Sequence, residues 1–156
     1  MAILQATYSF TNFITTIAGP GGAFVISGPD TAAAEEGFTV SMSEETNTQS
    51  IGSDGSVMNS LHASKAGLCG VRLQKTSPIN MLLANMYNLQ RTSSALWGLN
   101  IITARDIARG DVYTLSGCAF VRFPANAYGK VGNMIDWEFS VSVLDPFLGP
   151  GFVTIL

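Results

Sequence analysis

Few side chains here have the types and spacing that catalysis or metal binding asks for. His62 is the sole histidine. The two cysteines, Cys69 and Cys118, lie far apart in sequence and lack the short spacing of metal-ligand pairs. Without an export signal they read as reduced, small apolar side chains. Glu35-Glu36 and Glu44-Glu45 are carboxylate pairs of the kind that could perform acid–base work or glycoside cleavage. Adjacent carboxylates in a strand or turn point in different directions, however, and usually end in solvent. Gly19-Pro20-Gly21-Gly22 hints at a phosphate-cradling loop, but no Lys-Ser/Thr follows and no helix begins there. Trp97, Trp137, Tyr87 and Phe139 sit in apolar patterns and read as core. No basic cluster interleaves with exposed aromatics, so nucleic-acid readout is equally poor. The sequence predicts no enzyme, no cofactor and no metal site.

The elements that would position such groups are almost all strands. Phe38, Val40 and Met42 alternate with Thr39, Ser41 and Ser43, the pattern of a strand with one wet face. The clearest strand comes late, where Ile135, Trp137, Phe139, Val141 and Val143 alternate with Asp136, Glu138, Ser140 and Ser142. Thr7–Ile17 and Ala23–Ile26 read as a hairpin around the glycine-rich turn; Leu68–Lys75, Asn100–Asp106 and Val112–Phe123 read as further strands. Thr46–Ile51 is a polar strand that leads to a Gly/Ser tip at 52–56 and returns through 57–66. That excursion, from about Glu44 to Ala66, is longer than a turn needs, and such extensions usually reach something.

One stretch reads as a helix, about Pro78 to Gln90. Ser77 can cap it, Pro78 fits the first helical position, and Ile79, Leu82, Leu83, Met86 and Leu89 or Gln90 form an apolar stripe. The stripe must bury itself on a sheet. The expected fold is therefore mainly β, a sandwich or barrel of seven or eight strands with one flanking α-helix, in a single domain spanning 1–156.

Composition points to assembly. Hydrophobic residues make up 47% and charged ones 12%, about half the usual charged share of roughly 25%. Such a chain is expected to hide surface against other chains. Residues 1–60 hold six acids and no Lys or Arg, residues 61–130 hold all eight bases against Asp106 and Asp111, and the remainder adds three acids. This segregation suits head-to-tail packing of identical subunits. No apolar run reaches the roughly 20 residues of a membrane span, and the start lacks a signal-peptide pattern, so a cytoplasmic site of synthesis and assembly with no membrane insertion is expected. From about residue 144 to 156, prolines and glycines separate Phe147, Leu148 and Phe152. An apolar arm of this kind should dock on the body or on a neighbour.

An ordered set of motifs now carries a resemblance. Tyr8-Ser9-Phe10, Gly19-Pro20-Gly21-Gly22, Ala34-Glu35-Glu36-Gly37, Ile51-Gly52-Ser53-Asp54-Gly55, Ser60-Leu61-His62-Ala63, Lys75-Thr76-Ser77-Pro78-Ile79-Asn80, Met86-Tyr87-Asn88, Ser94-Ala95-Leu96-Trp97-Gly98, Arg109-Gly110-Asp111 and Asp136-Trp137-Glu138-Phe139 follow one another along nearly the whole chain. In that order they resemble the tail tube proteins of contractile-tailed bacteriophages and prophages. The resemblance implies hexameric rings stacked into a hollow tube that delivers the genome, placed in the virion, with partners in the tail sheath, baseplate hub, tail terminator and tape measure protein. DNA would pass through the lumen without specific binding. A long loop and terminal arms would join adjacent rings, here through Glu44, Glu45, Asp54, Ser56, Met58 and His62 in the loop, with Phe147, Leu148 and Phe152 in the C-terminal arm. Thr39, Ser41 and Ser43, or else Asp136, Glu138 and Ser140, would line the lumen, where like-charge repulsion and hydration let a polyanion slide. Two alternatives stand: the tube of a related injection or secretion machine with protein cargo, and a β-barrel that binds a small apolar ligand.

Overall fold

Alternation along Met134–Val141 places Ile135, Trp137, Phe139 and Val141 in the core and leaves Met134, Asp136, Glu138 and Ser140 exposed. The fold grows around that strand. The structure is a computed structural model that describes residues 7–27 and 33–151. In chain order its strands are β1 (Phe13–Gly19), β2 (Gly22–Ser27), β3 (Ala33–Met42), β4 (Asn47–Ile51), β5 (Val57–Leu61), β6 (Gly67–Gln74), β7 (Asn100–Asp106), β8 (Asp111–Phe120), β9 (Met134–Val141) and β10 (Val143–Phe147). One α-helix, α1 (Ile79–Gln90), lies between β6 and β7.

Pairing runs β2-β1-β7-β8-β9-β6-β3, antiparallel throughout, with β10 added to β8. β8 belongs to two layers. Val112–Ser116 lies between β7 and β10, whereas Ala119 and Phe120 pair with β9. The strand turns the corner at Gly117, whose φ of 62° suits a residue without Cβ. Ser142 fills the corner from the other side, its hydroxyl donating to the Gly117 carbonyl at 3.0 Å. A Cβ on Gly117 would collide with that Ser142 side chain. The inner rows, Ile17, Ile102 and Leu115 from one layer and Val71, Leu73, Trp137 and Phe139 from the other, share one core.

The helix begins where its sequence says it should. The Ser77 hydroxyl accepts the Ile79 amide at 3.3 Å, and Ile79, Leu83, Met86 and Gln90 form the buried face. Position 90, rather than the 44%-exposed Leu89, completes the stripe. Asn80 also turns inward, accepting the Trp137 indole N–H at 3.0 Å and donating to the Gln74 carbonyl at 2.9 Å. Trp97, expected in the core, is 38% exposed.

Several boundaries differ from the sequence pattern, and the described residues form ten strands rather than seven or eight, because β3 already begins at Ala33 and the return at 57–66 holds β5. The first strand starts at Phe13 because Phe10–Asn12 coils into a 3-10 turn. β8 stops at Phe120, leaving 121–133 without regular structure. At the other end, Val143–Phe147 forms a strand despite Pro146. Pro146 is tolerated because β10 lies at a sheet edge, where a missing N–H can face outward.

Candidate assembly surfaces

β4 and β5 pair with each other in a two-stranded sheet of their own. Nearly every residue of the ribbon is exposed, including Ile51 at 70%, Met58 at 62% and Leu61 at 83%. Its root is closed by the His62 amide donating to the Thr46 carbonyl at 2.8 Å, with Thr48 Oγ1 and His62 Nε2 only 2.6 Å apart. At the tip, Asp54 Oδ1 accepts both the amide and the hydroxyl of Ser56, at 3.0 and 2.6 Å. Those hydrogen bonds hold the Asp54 carboxyl below its ordinary value, so the tip keeps its negative charge to lower pH. Glu44 and Glu45 lie exposed in the bend between β3 and β4. A lone ribbon of this kind is marginally stable in water, and its apolar side chains Ile51, Val57, Met58 and Leu61 have no core to enter. The sequence points to Met58 and to the polar members of this hairpin. Ile51 and Val57 carry no such signal because they flank the Gly/Ser tip and read as strand ends.

The two lining sets that the sequence offers as alternatives turn out to be one surface. Register places Thr39, Gly70 and Glu138 in one row across β3, β6 and β9, and Ser41, Leu68 and Ser140 in the next. Ser43 sits just past β3, its amide bonded to the Ala66 carbonyl at 3.0 Å. The face is polar, yet its acids are compensated: Asp136 pairs with Arg72 at 3.4 Å and Glu138 with Arg122 at 3.3 Å. Exposed pairs contribute little stability. Their effect here is on potential, because an acidic stripe in the sequence becomes a near-neutral, hydrated face in the fold.

Gly149 and Gly151 are tied to the β7–β8 turn. Gly149 donates its amide to Asp111 Oδ1 at 2.9 Å, and Arg109 Nη1 donates to the Gly151 carbonyl at 2.9 Å. Leu144 is buried, while Phe147 and Leu148 are 65% and 67% exposed. Phe152 lies outside the described residues. Beside that turn opens a cleft of about 220 Å³ lined mainly by Tyr8, Phe10, Phe13, Phe38 and Tyr113. Among the described residues no group of His, Cys, Asp or Glu could hold a metal ion, and no helix is long and apolar enough to cross a membrane. Cys69 and Cys118 are both buried and free; burial pushes the Cys118 thiol up to about 11 and Cys69 higher still.

These surfaces can be set beside known proteins. The family described as "Bacteriophage PhiTE tail tube protein" matches residues 5–149. The cap of the anti-feeding prophage, its tube terminating cap, superposes with a TM-score of 0.54 at 9% identity, covering 96% of each chain. A chain of the six-fold symmetrised anti-feeding prophage baseplate gives 0.50 at 12% identity, over 94% of this chain and 97% of that one. At such identities the likeness is one of fold. No curated protein matches by sequence.

Proposed function

The chain belongs to the bacteriophage tail tube protein family, and on that premise we propose that six copies form a ring and that rings stack head to tail into the hollow tube through which a phage genome reaches its host. The observation that carries this reading is the exposed β4–β5 ribbon. A two-stranded sheet with apolar side chains on show calls for a second protein surface, and in a ring stack the neighbouring ring supplies it. Glu44, Glu45, Met58 and His62 then join Ile51 and Val57 at the contact between rings, while Asp54 and Ser56 hold the tip in shape. Phe147, Leu148 and Phe152 extend the contact from the C-terminal side.

In this arrangement the outer face of β3, β6 and β9 lines the lumen, with Thr39, Ser41, Ser43, Asp136, Glu138 and Ser140 facing the cargo. A passing polyanion meets hydroxyls and closed ion pairs. There is neither a basic stripe to hold it nor a strong acidic field to repel it. The protein acts as a structural part of the virion, assembled in the host cytoplasm. It meets the sheath on the outside, the baseplate hub and terminator at the tube ends, and the tape measure protein within.

A charge-compensated lining is indifferent to the sign of what passes. That feature favours a second reading in which the same tube belongs to a machine that injects protein, and the contents of purified particles separate the two. The experiment that tests the common core is negative-stain electron microscopy of the purified protein with its mass in solution. Six-fold rings or hollow tubes are expected. A uniform monomer carrying an extractable apolar ligand would overturn the tube reading.

A further inference from the structure

Sheet geometry sets an acidic ribbon and a lysine-bearing segment at opposite ends of β6. β3 and β6 join the β4–β5 ribbon at the Met42/Gly67 end. At the other end β6 finishes at Gln74 beside Met134, where residues 121–133 return into β9. The two ends are separated by the length of β6, roughly 23 Å at about 3.3 Å per residue.

At the ribbon end the acids outside any ion pair among the described residues are Glu44, Glu45 and Asp54, while Lys65 at the ribbon root is closed by Asp145 at 3.4 Å. At the far end stand Lys75 and Lys130. Neither of these two lysines takes part in an ion pair among the described residues. Asp136 and Glu138, the acids nearest the lysines along β9, are already closed by Arg72 and Arg122. β3 brings Glu35 and Glu36 to this same end of the sheet, so the positive sign is local to the segment that carries Lys75 and Lys130.

Residues 121–133 are also built rather than loose. Phe123 packs on Trp137 and Tyr87, each at 5.6 Å between ring centroids. The Lys75 ammonium donates to the Ala127 carbonyl and lies 4.0 Å from the centre of the Tyr128 ring. Asn126 Nδ2 donates to the Tyr128 hydroxyl at 3.4 Å. The braced segment presents Tyr128 at 85% exposure and Val131 at 77%, flanked by the two lysines. Irregular segments of this length inside a compact domain usually serve a binding purpose.

We propose that residues 121–133, with Lys75, form the receiving surface for the β4–β5 ribbon of a second copy of this chain. Chemistry matches on both counts: Ile51 and Val57 with acids on one side, Tyr128 and Val131 with bases on the other. Opposite ends of one subunit carry the two halves, so the contact is heterologous and propagates along an axis. The proposal rests on the head-to-tail reading above and names the partner surface that the reading leaves open.

Charge exchange tests it. Lys130→Glu is exposed and leaves the Lys75 brace intact; it should lower the assembled fraction about tenfold at low salt and less at high salt. Glu44→Lys with Glu45→Lys should do the same, and the combination of all three should restore stacking. Light scattering and negative-stain images report the length, and circular dichroism checks the fold of each variant. Lys75→Gln provides a second probe, since it removes a charge without reversing it. Wild-type tubes that every one of these variants also forms, or a triple variant as weak as the single ones, would overturn the receiving surface while leaving the tube intact. Wild-type protein that never stacks would overturn both.

Discussion

The side chains of Gln90 and Asn100 exchange two hydrogen bonds, Nε2 to Oδ1 at 2.8 Å and Nδ2 to Oε1 at 3.0 Å, at a point where both residues are fully buried. Gln90 also donates to the Pro20 carbonyl at 2.9 Å, so one amide pair ties the end of α1 to β7 and to the β1–β2 turn. Gly19 leaves room for it, since a Cβ there would fall onto Asn100 Oδ1. Removing either partner strands the other amide away from water.

Asn100→Ala and Gln90→Ala are each expected to cost about 2 to 3 kcal/mol in urea unfolding. The double variant should cost less than the sum by about 1 kcal/mol or more, because the second change removes the group that the first leaves unpaired. Gly19→Ala should cost about 1 to 3 kcal/mol alone. Its cost should shrink in the Asn100→Ala background, where the obstructing oxygen is gone. Strict additivity among the three would show that the amide pair does not couple these elements.

The ribbon can be removed without touching the core. The Thr46 carbonyl and His62 amide are already bonded, so an Asn-Gly turn joining Thr46 to His62 closes the gap in place of residues 47–61. The shortened protein should melt within a few degrees of the full chain, yet form no stacks under electron microscopy. Tubes of normal length from this variant would remove the ribbon from the contact between rings.

Which of these features the sequence displays depends on how local their cause is. β9 could be read because one wet face imposes alternation, and α1 because Ser77, Pro78 and the apolar stripe mark it. The β1–β2 turn carries its own glycines. β10 was hidden by Pro146, which only an edge position excuses, and the end of β8 by the corner at Gly117. The polar face of β3, β6 and β9 was half visible: each strand showed polar alternation, but only register shows that Thr39 and Glu138 share a row. That Arg72 and Arg122 close on Asp136 and Glu138 is likewise a fact of pairing between strands and their flanking chain. Lys75 as the brace of 121–133 had no sequence signal, because its partner is a backbone carbonyl.

The cysteines give a pH dependence with a definite sign. Burial raises the Cys118 thiol from 9.0 to about 11 and Cys69 further. In the folded state both thiols therefore hold their protons where the unfolded chain has begun to lose them. Unfolding releases protons above about pH 9, so stability should be flat below that value and fall as pH rises towards 11. Thiol-directed reagents should label the native protein slowly at pH 8 and rapidly in denaturant. Cys69→Ala with Cys118→Ala should flatten the alkaline fall, apart from the share due to other groups. An unchanged slope would mean that the thiols are not its source.

The proposal that the ion-paired face of β3, β6 and β9 lines the lumen makes the most specific prediction about cargo. In the wild-type face two arginines and two carboxylates cancel within 3.4 Å of each other. Asp136→Asn with Glu138→Gln would remove the carboxylates that face Arg72 and Arg122, and a six-fold ring would multiply the change into a more basic girdle. Assembled protein of that variant should retain a labelled DNA duplex at low salt. Its affinity should fall log-linearly as salt rises, the mark of counterion release, while wild-type assemblies retain little. The opposite change, Arg72→Gln with Arg122→Gln, should leave DNA unbound, since bare carboxylates only add repulsion. Retention of DNA by the wild type as strong as by the carboxylate variant would mean that this face does not meet the cargo, and the outer face of the β2-β1-β7 layer would become the candidate lining.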